Sequence, residues 1–472
     1  MKLRVLAVLL VLCTVLSGCM KIEQDTENLM RPPKLSVEQQ QIFSALSAAA
    51  GTEIFLKYPK DGEYRSAFVM YDVDGDKQDE AIVFYTNAAD ELRLNILDKQ
   101  NGTWYSLYDA AGDGPDIDSI SFPKMLSATQ SNIAIAFDMR SRGQKTLAIY
   151  SFEENRLKEE FKTDFTNCLI QDFDGDSRQE ILLLNNLYLT GDSEAKLVDN
   201  TYFNGKLGII STLAPLNRDV AEYVQLSVEK NPASDIVKSE TQPDSEPVAA
   251  VPSNDENAYN IFVDGKTGNN SYATEIIGIR RNRLVNMLLK EASDGTINDY
   301  SVTTIRPIPM FTKDINDDGL LEVPMGLRIP GAPISSEESL ISLICWNNFM
   351  DTEFYPAAYS LVNSTYQFTF DYPPSWDDKN ISVQQQDGNE WRFYEFIGKN
   401  KSDSHEDAFG DELLRIKAFT NNDYVDDEGY QQIAQNDEYT YYAYIPALEE
   451  GKQNELTISM EELKVLFHSS MI

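Results

Sequence analysis

The balance of hydrophobic and polar positions changes several times along the chain. Val5 to Leu16 is an apolar run interrupted only by Thr14 and preceded by Lys2 and Arg4. At roughly 12 residues it is too short to span a bilayer as a helix, which takes about 20, and it suits a signal peptide over residues 1–18. Residues 19–35 are polar, aperiodic and close on Pro32-Pro33, which predicts a tether. Ser36 with Gln39 three positions on matches a capping box, and a helix is expected through Ile42, Phe43 and Leu46 to a stop at Gly51. From there short apolar runs separated by turn residues predict β-strands. Residues 134–152 and 259–279 each read as strand, polar turn, strand. The stretch 231–257, rich in Pro, Ser and acids, reads as a disordered insertion between sheet units.

Near residue 360 the pattern changes again, and residues 361–472 are expected to form a smaller α+β domain. Tyr366, Phe368, Phe370 and Tyr372 alternate with polar residues as a half-buried strand does. Segments 381–386 and 390–397 flank Asp387-Gly388-Asn389, a hairpin signal. Residues 413–420 and 438–445 read as strands and 426–435 as a short helix. Ser459 with Glu462 predicts a last helix with Leu463, Leu466 and Phe467 on one face and His468 in its final turn. Trp376, Trp391 and the tyrosines within 440–444 suit a core or a binding face, with core the more common outcome at strand spacing. The run YQFTFDYPPSW loosely resembles the opening strand of PsbP-like domains.

One polar pattern recurs inside the strand-rich region. It reads Asp72, Asp74, Asp76, Glu80; then Asp172, Asp174, Asp176, Glu180; then Asp314, Asn316, Asp318, Glu322. Each set places oxygen side chains at positions 1, 3, 5 and 9 of a nine-residue loop. Calcium takes six to eight oxygens at about 2.3–2.6 Å, and alternating acids in a tight loop can converge on one centre. Gly75, Gly175 and, later in its loop, Gly319 permit the sharp turn. An EF-hand would need a bidentate Glu at position 12 and flanking helices. Position 12 here is Val83, Leu183 and Met325, and the flanks are buried-strand runs. That motif is excluded.

Strand, acidic loop, strand resembles the FG-GAP/VCBS-type repeat, the calcium-loop hairpin of integrin-type β-propellers. The resemblance covers the three loops and the strand pattern from about residue 52 to 355. It implies structural Ca2+ held by the twelve side chains just named, with backbone contributions at Gln78, Arg178 and Leu320. It also implies a mainly β fold over residues 36–360, a propeller-like array of antiparallel sheet units. The spacing departs from the family: the loops lie 100 and 142 residues apart, against about 40–50 for propeller blades. Adding the two loopless strand–turn–strand segments gives about five sheet units, so blade number and ring closure stay open.

Leu16-Ser17-Gly18-Cys19 resembles the lipobox of bacterial lipoproteins, in which the chain is cut before the Cys and the thiol carries diacylglycerol. That resemblance implies lipidation at Cys19 and a membrane-anchored, extracytoplasmic protein; a multiply acylated Cys gives stable attachment. Cys168 and Cys345 lie in apolar runs and could be a disulfide or two buried thiols.

The chain carries 40 Lys+Arg against 76 Asp+Glu, a formal charge of −36. Such a chain is not a nucleic-acid binder, because that affinity comes from cations neutralising phosphates. The surplus suits solubility or a basic partner. His405 and His468 are the only histidines, which removes Ser-His-Asp triads and multi-His zinc sites. No nucleophile elbow, HExxH or phosphate loop is found. The expected role is a binding or scaffold module. The alternatives are a carboxylate-dependent glycoside hydrolase, whose two acids cannot be singled out by sequence, and an accessory or sensor subunit of an envelope complex.

Overall fold

The computed structural model describes residues 35–141, 143–188, 191–200, 204–217, 219–230, 258–292, 294–331, 341–350, 352–377, 380–399, 407–423, 428–447 and 454–470. The signal run, Cys19, the expected insertion at 231–257 and His405 lie outside them. The described residues fall into two compact units, one of residues 35–57, 66–72 and 77–111, the other of 58–65, 73–76 and 112 onward.

In the first unit the helix α1 spans Val37–Ala50. Ser36 Oγ accepts from the Gln39 N–H at 3.1 Å and Gln39 Oε1 accepts from the Ser36 N–H at 3.0 Å, so the capping box closes both ways. Its Ile42 and Leu46 are buried against Val83, Tyr85, Leu97 and Trp104 of an antiparallel sheet. That first sheet runs Phe55–Leu56, Glu80–Thr86, Leu92–Gln100, Thr103–Ala111, with Phe68–Tyr71 also paired to Glu80–Thr86.

The second unit is a succession of antiparallel sheets. The second sheet (Asp116–Ser121, Ile133–Ser141, Gln144–Glu153, Arg156–Phe165), the third (Asn167–Gln171, Glu180–Asn185, Glu194–Asp199, Gly208–Leu213) and the fourth (Val220–Lys230, Tyr259–Thr267, Tyr272–Arg280, Arg283–Asn286) are four-stranded meanders in chain order. A fifth takes Glu322–Leu327, Ile341–Met350, Glu353–Asn363, Phe368–Asp371 and Phe467–His468. In the sixth, Ile381–Gln386, Glu390–Lys399 and Asp407–Thr420 are followed by Tyr439–Tyr444 and then, at the edge, Gln431–Gln435.

Within this unit consecutive sheets pack face to face, which explains their unbroken apolar runs. In the third sheet Ile181 and Leu183 enter one core with Ile149 of the second sheet, while Leu182 and Leu184 enter another with Ile261, Val263 and Ile277 of the fourth. Side chains two apart share a face, so a strand buried on both sides must be apolar throughout. The fourth sheet repeats the device, turning Phe262 and Ile276 toward Val323 and Phe349 of the fifth. The fifth then shares a large aromatic core with the sixth through Phe370, Trp376, Trp391 and Tyr441. The fold is mainly β, a propeller-like array of antiparallel sheet units with short helices at either end of the described chain. Within residues 52–372, five sheets of four or five strands are found among the described residues.

Several local expectations are corrected. Residues 431–435, expected as helix, form an edge strand of the sixth sheet, paired to Tyr439–Tyr444. Ala434 and Ile433 pack on the aromatic core there, and that tertiary contact outweighs weak local propensity. The final helix, α2, is only Met460–Leu466: Ser459 Oγ accepts from the Glu462 N–H, but Phe467 and His468 leave the helix to pair with Phe370 and Thr369. His468 therefore does not sit in a helix terminus; its Nε2 lies 2.8 Å from Asp371 Oδ2. Trp376, Trp391 and Tyr441 are core, not a binding face. Cys168 and Cys345 are free thiols. The hairpin at Asp387-Gly388 forms as expected, with both residues at positive φ (49° and 80°) as a type I′ turn demands.

Candidate metal centre

The three acidic loops share one frame. Tyr71 pairs with Glu80, Gln171 with Glu180 and Lys313 with Glu322, so in each case the residue before position 1 faces position 9 across an antiparallel pair. Between these anchors the backbone turns on its own acids. The position-6 N–H donates to the position-1 carboxylate in every loop: Lys77 to Asp72 at 3.0 Å, Ser177 to Asp172 at 3.0 Å and Gly319 to Asp314 at 2.9 Å. The position-5 N–H donates to the position-3 side chain, Asp76 to Asp74, Asp176 to Asp174 and Asp318 to Asn316, at 3.0–3.1 Å.

Positions 4 and 6 are left-handed in all three loops: Gly75 and Lys77, Gly175 and Ser177, Asp317 and Gly319. Only one of the two is Gly in each loop, at position 4 twice and at position 6 once. The shift of glycine in the third loop thus leaves the backbone path unchanged, because Asp tolerates the left-handed region better than most residues.

The third sheet holds the best-defined cluster. Oxygens of Asp172, Asp174 and Glu180 lie within 4.8 Å of one another. Glu180 is fully buried; its Oε2 accepts from the Phe173 N–H at 2.7 Å, and its Oε1 has no hydrogen-bond partner among the described residues. Burial pushes the Glu180 carboxyl up to about 8, with Asp174, Asp199 and Asp172 adding to the effect and the Phe173 N–H opposing it. The loop is clasped from both sides. The Gln179 N–H donates to Lys124 O at 2.6 Å, Lys124 N–H donates to Gln179 Oε1, and Asn282 of the fourth sheet donates to Asp174 Oδ2 at 3.2 Å. Asp176 is held elsewhere: its Oδ1 accepts from the Arg178 N–H and its Oδ2 is paired with the Arg178 guanidinium.

In the first loop, Asp72 and Glu80, both in the first unit, bring oxygens within 4.8 Å of each other, with Glu80 fully buried. The third loop differs in chemistry. Asn316 donates to Asp318 Oδ2 at 3.0 Å, and Asn348 donates to Glu322 Oε1 at 2.7 Å. Glu322 Oε2 accepts from the Ile315 N–H, and burial pushes its carboxyl up. Glu229, from the fourth sheet, accepts from the Leu321 N–H, and burial pushes it up to about 7, with Glu322 and Asp318 adding.

The structure thus brings together three of the four side chains expected at the second loop and diverts Asp176. Sequence reasoning missed Asp199, Glu229 and Asn348. The first had a readable signal: an Asp closing an apolar strand (KLVD), repeated at Asp98 (NILD).

No family model matches the chain, and no curated protein matches it. Among solved structures it is similar to Sqt1 of Saccharomyces cerevisiae, with 9% identity over 78% of this chain and 82% of that one and a TM-score of 0.27. It is also similar to the β-propeller domain of the Trilobed protease from Pyrococcus furiosus (10% identity, 75% and 90% covered, TM-score 0.23). TolB from Acinetobacter baumannii gives 8% identity, 64% and 57% covered, and a TM-score of 0.20. At such scores a likeness carries no argument, and the fold rests on the sheet order and packing.

Proposed function

We propose that this chain is a membrane-anchored, extracytoplasmic bacterial lipoprotein whose sheet array is braced by structural calcium and serves as a binding or scaffold module. The anchor rests on Leu16-Ser17-Gly18-Cys19 and the short apolar run before it. One observation carries the metal reading: in the second loop three carboxylates converge while the buried Glu180 Oε1 finds no donor among the described residues. A buried polar atom left without a partner costs free energy, more so for a charged group. A hard cation meets that need, and the donor set is all oxygen, as calcium prefers. Asp172, Asp174 and Glu180 would hold it there, and the sequence pattern gives Asp72, Asp74, Asp76 and Glu80 for the first loop. The third loop would contribute Asp314, Asn316, Asp318 and Glu322. Bound calcium would supply charge neutralisation and cross-linking, not chemistry on a substrate. The acid surplus favours a basic protein or envelope component as partner.

The test is thermal. Sites of extracellular type bind at about 10⁻⁴–10⁻³ M, so 10 mM Ca2+ stabilises by roughly 1.5–3 kcal/mol per site. EGTA should lower the melting temperature by several degrees, and Asp74→Ala with Asp174→Ala should abolish most of that response. Equal melting in Ca2+ and EGTA would overturn the metal reading. For the anchor, Cys19→Ala should move the protein from the membrane fraction to the soluble fraction and end incorporation of labelled palmitate.

A further inference from the structure

The third sheet contains a buried carboxylate that no loop pattern explains. Asp199 ends the strand Glu194–Asp199, and one step beyond the Ile181–Val198 pair places it across from Glu180. It is 2% exposed. Its Oδ1 accepts from the Asn200 N–H at 2.5 Å, and its Oδ2 has no hydrogen-bond partner among the described residues. Cross-strand neighbours share a face, and like charges directly opposite destabilise a sheet. Two facing carboxylates, each with a buried and unsatisfied oxygen, are therefore an arrangement that calls for a shared cation.

The equivalent position in the other loops is settled differently. Asp98, across from Glu80 by the register of Ala81 with Leu97, has both oxygens engaged: Oδ1 by the Lys99 N–H and Oδ2 by the Tyr105 hydroxyl. In the third loop the residue is Asn348, a donor that satisfies Glu322 directly. Only in the second loop is the facing group an acid with an open oxygen. In that same loop Asp176, the expected position-5 ligand, is taken up by Arg178.

Resting on the calcium reading above, we propose that Asp199 is a ligand of the second loop's cation, supplied by the neighbouring strand in place of Asp176. Asp199 stands outside the 4.8 Å group formed by Asp172, Asp174 and Glu180. Oxygens on opposite sides of a calcium ion are about 5 Å apart when each bond is about 2.3–2.6 Å, so a ligand facing the triad across the ion belongs at that separation. The site would then be built on two adjacent strands as well as the loop.

Calorimetric titration of the full chain with CaCl2 tests this. Asp174→Ala should delete one binding event, which identifies the second loop. Asp199→Asn, which keeps the side-chain shape and the acceptor for Asn200, should weaken that same event about 10- to 100-fold. Its melting temperature in EGTA should hold or rise, because one of two facing charges is gone. Asp98→Asn should leave the second-loop event in place. An Asp199→Asn isotherm identical to the parent's would overturn the proposal while leaving the loops as calcium sites. A parent that binds no calcium would instead overturn the loop reading itself. Should Asp199→Asn lose its native circular dichroism, Asp199→Ser carries the same test.

Discussion

Asp264 and Arg306 form a fully buried ion pair, and removing one partner gives the sharpest stability prediction. Arg306 Nη2 donates to Asp264 Oδ1 at 2.6 Å, and the rest of the guanidinium is spent on Met310 O, Thr274 Oγ1 and Thr304 O. Asp264 also accepts from Thr274 Oγ1 at 2.6 Å and from the Thr312 N–H at 2.9 Å. The pair thereby ties the fourth sheet, which holds Asp264 and Thr274, to the segment leading into the third acidic loop. Asp264→Asn keeps the shape but leaves a buried guanidinium charge uncompensated. Such a loss costs about 3–5 kcal/mol; with an unfolding entropy of about 2.1 cal/mol/K per residue over the roughly 360 residues from 112 onward, the melting temperature should fall by on the order of 4–7 °C. Replacing both partners, as Asp264→Leu with Arg306→Met, should recover most of the loss, because the expense lies in the orphaned charge and not in the absence of the pair. Differential scanning calorimetry of the parent, the single variant and the double variant decides it. A single variant within about 1 kcal/mol of the parent, or a double variant no better than the single, would refute the reasoning.

Two further outcomes follow from the same structure. Ser177 holds a φ of 70° at position 6 of the second loop, where the third loop has Gly319. Ser177→Gly should therefore stabilise by up to about 1 kcal/mol, read as a rise in melting temperature, with the Ca2+ response retained. Burial pushes the Glu275 carboxyl up to about 7 from its ordinary 4.5, opposed by the Asn217 N–H and Asn286. Its folded value lies above the unfolded one, so its contribution is complete below pH 4.5 and is lost as the pH rises through 7. That is on the order of 3 kcal/mol; Glu275→Gln should flatten the fall in stability over this window, and an unchanged pH profile would count against it.

How much of this was legible in the residues depends on whether a signal is local. The capping box at Ser36, the hairpin turn at Asp387-Gly388 and the acidic loops are short-range patterns, and each forms where it is written. The strands of the third and fourth sheets were readable as apolar runs, though not as strands sandwiched between two neighbours; that follows from the split of Ile181 and Leu183 from Leu182 and Leu184. What sequence could not supply is pairing between distant segments. Phe467 and His468 continue a helical pattern until Phe370 and Thr369 offer them a sheet edge. Asp199 comes to face Glu180 only through strand register, and the engagement of Asp176 by Arg178 is likewise seen only in the folded loop.

The excess of acid in this chain has two parts that answer different needs. Carboxylates facing water keep a protein soluble and apart from its neighbours, and most of the 76 acidic residues can serve in that way. Glu80, Glu180 and Glu322 cannot, since all three are fully buried. Each opens the second strand of its hairpin, at the one position where loop and sheet meet. An apolar residue there would join the strand's run without any desolvation cost. Retaining an acid three times at the same register, against that cost, makes sense where its charge is balanced in place. The third loop balances Glu322 with amides from Asn348 and Ile315, a protein-only solution. The second offers Glu180 only the Phe173 N–H and adds a further acid at Asp199, so on the calcium reading proposed above the cation supplies the missing balance there. On that proposal the loops are graded in what they ask of calcium, and the second should lose most when it is withdrawn.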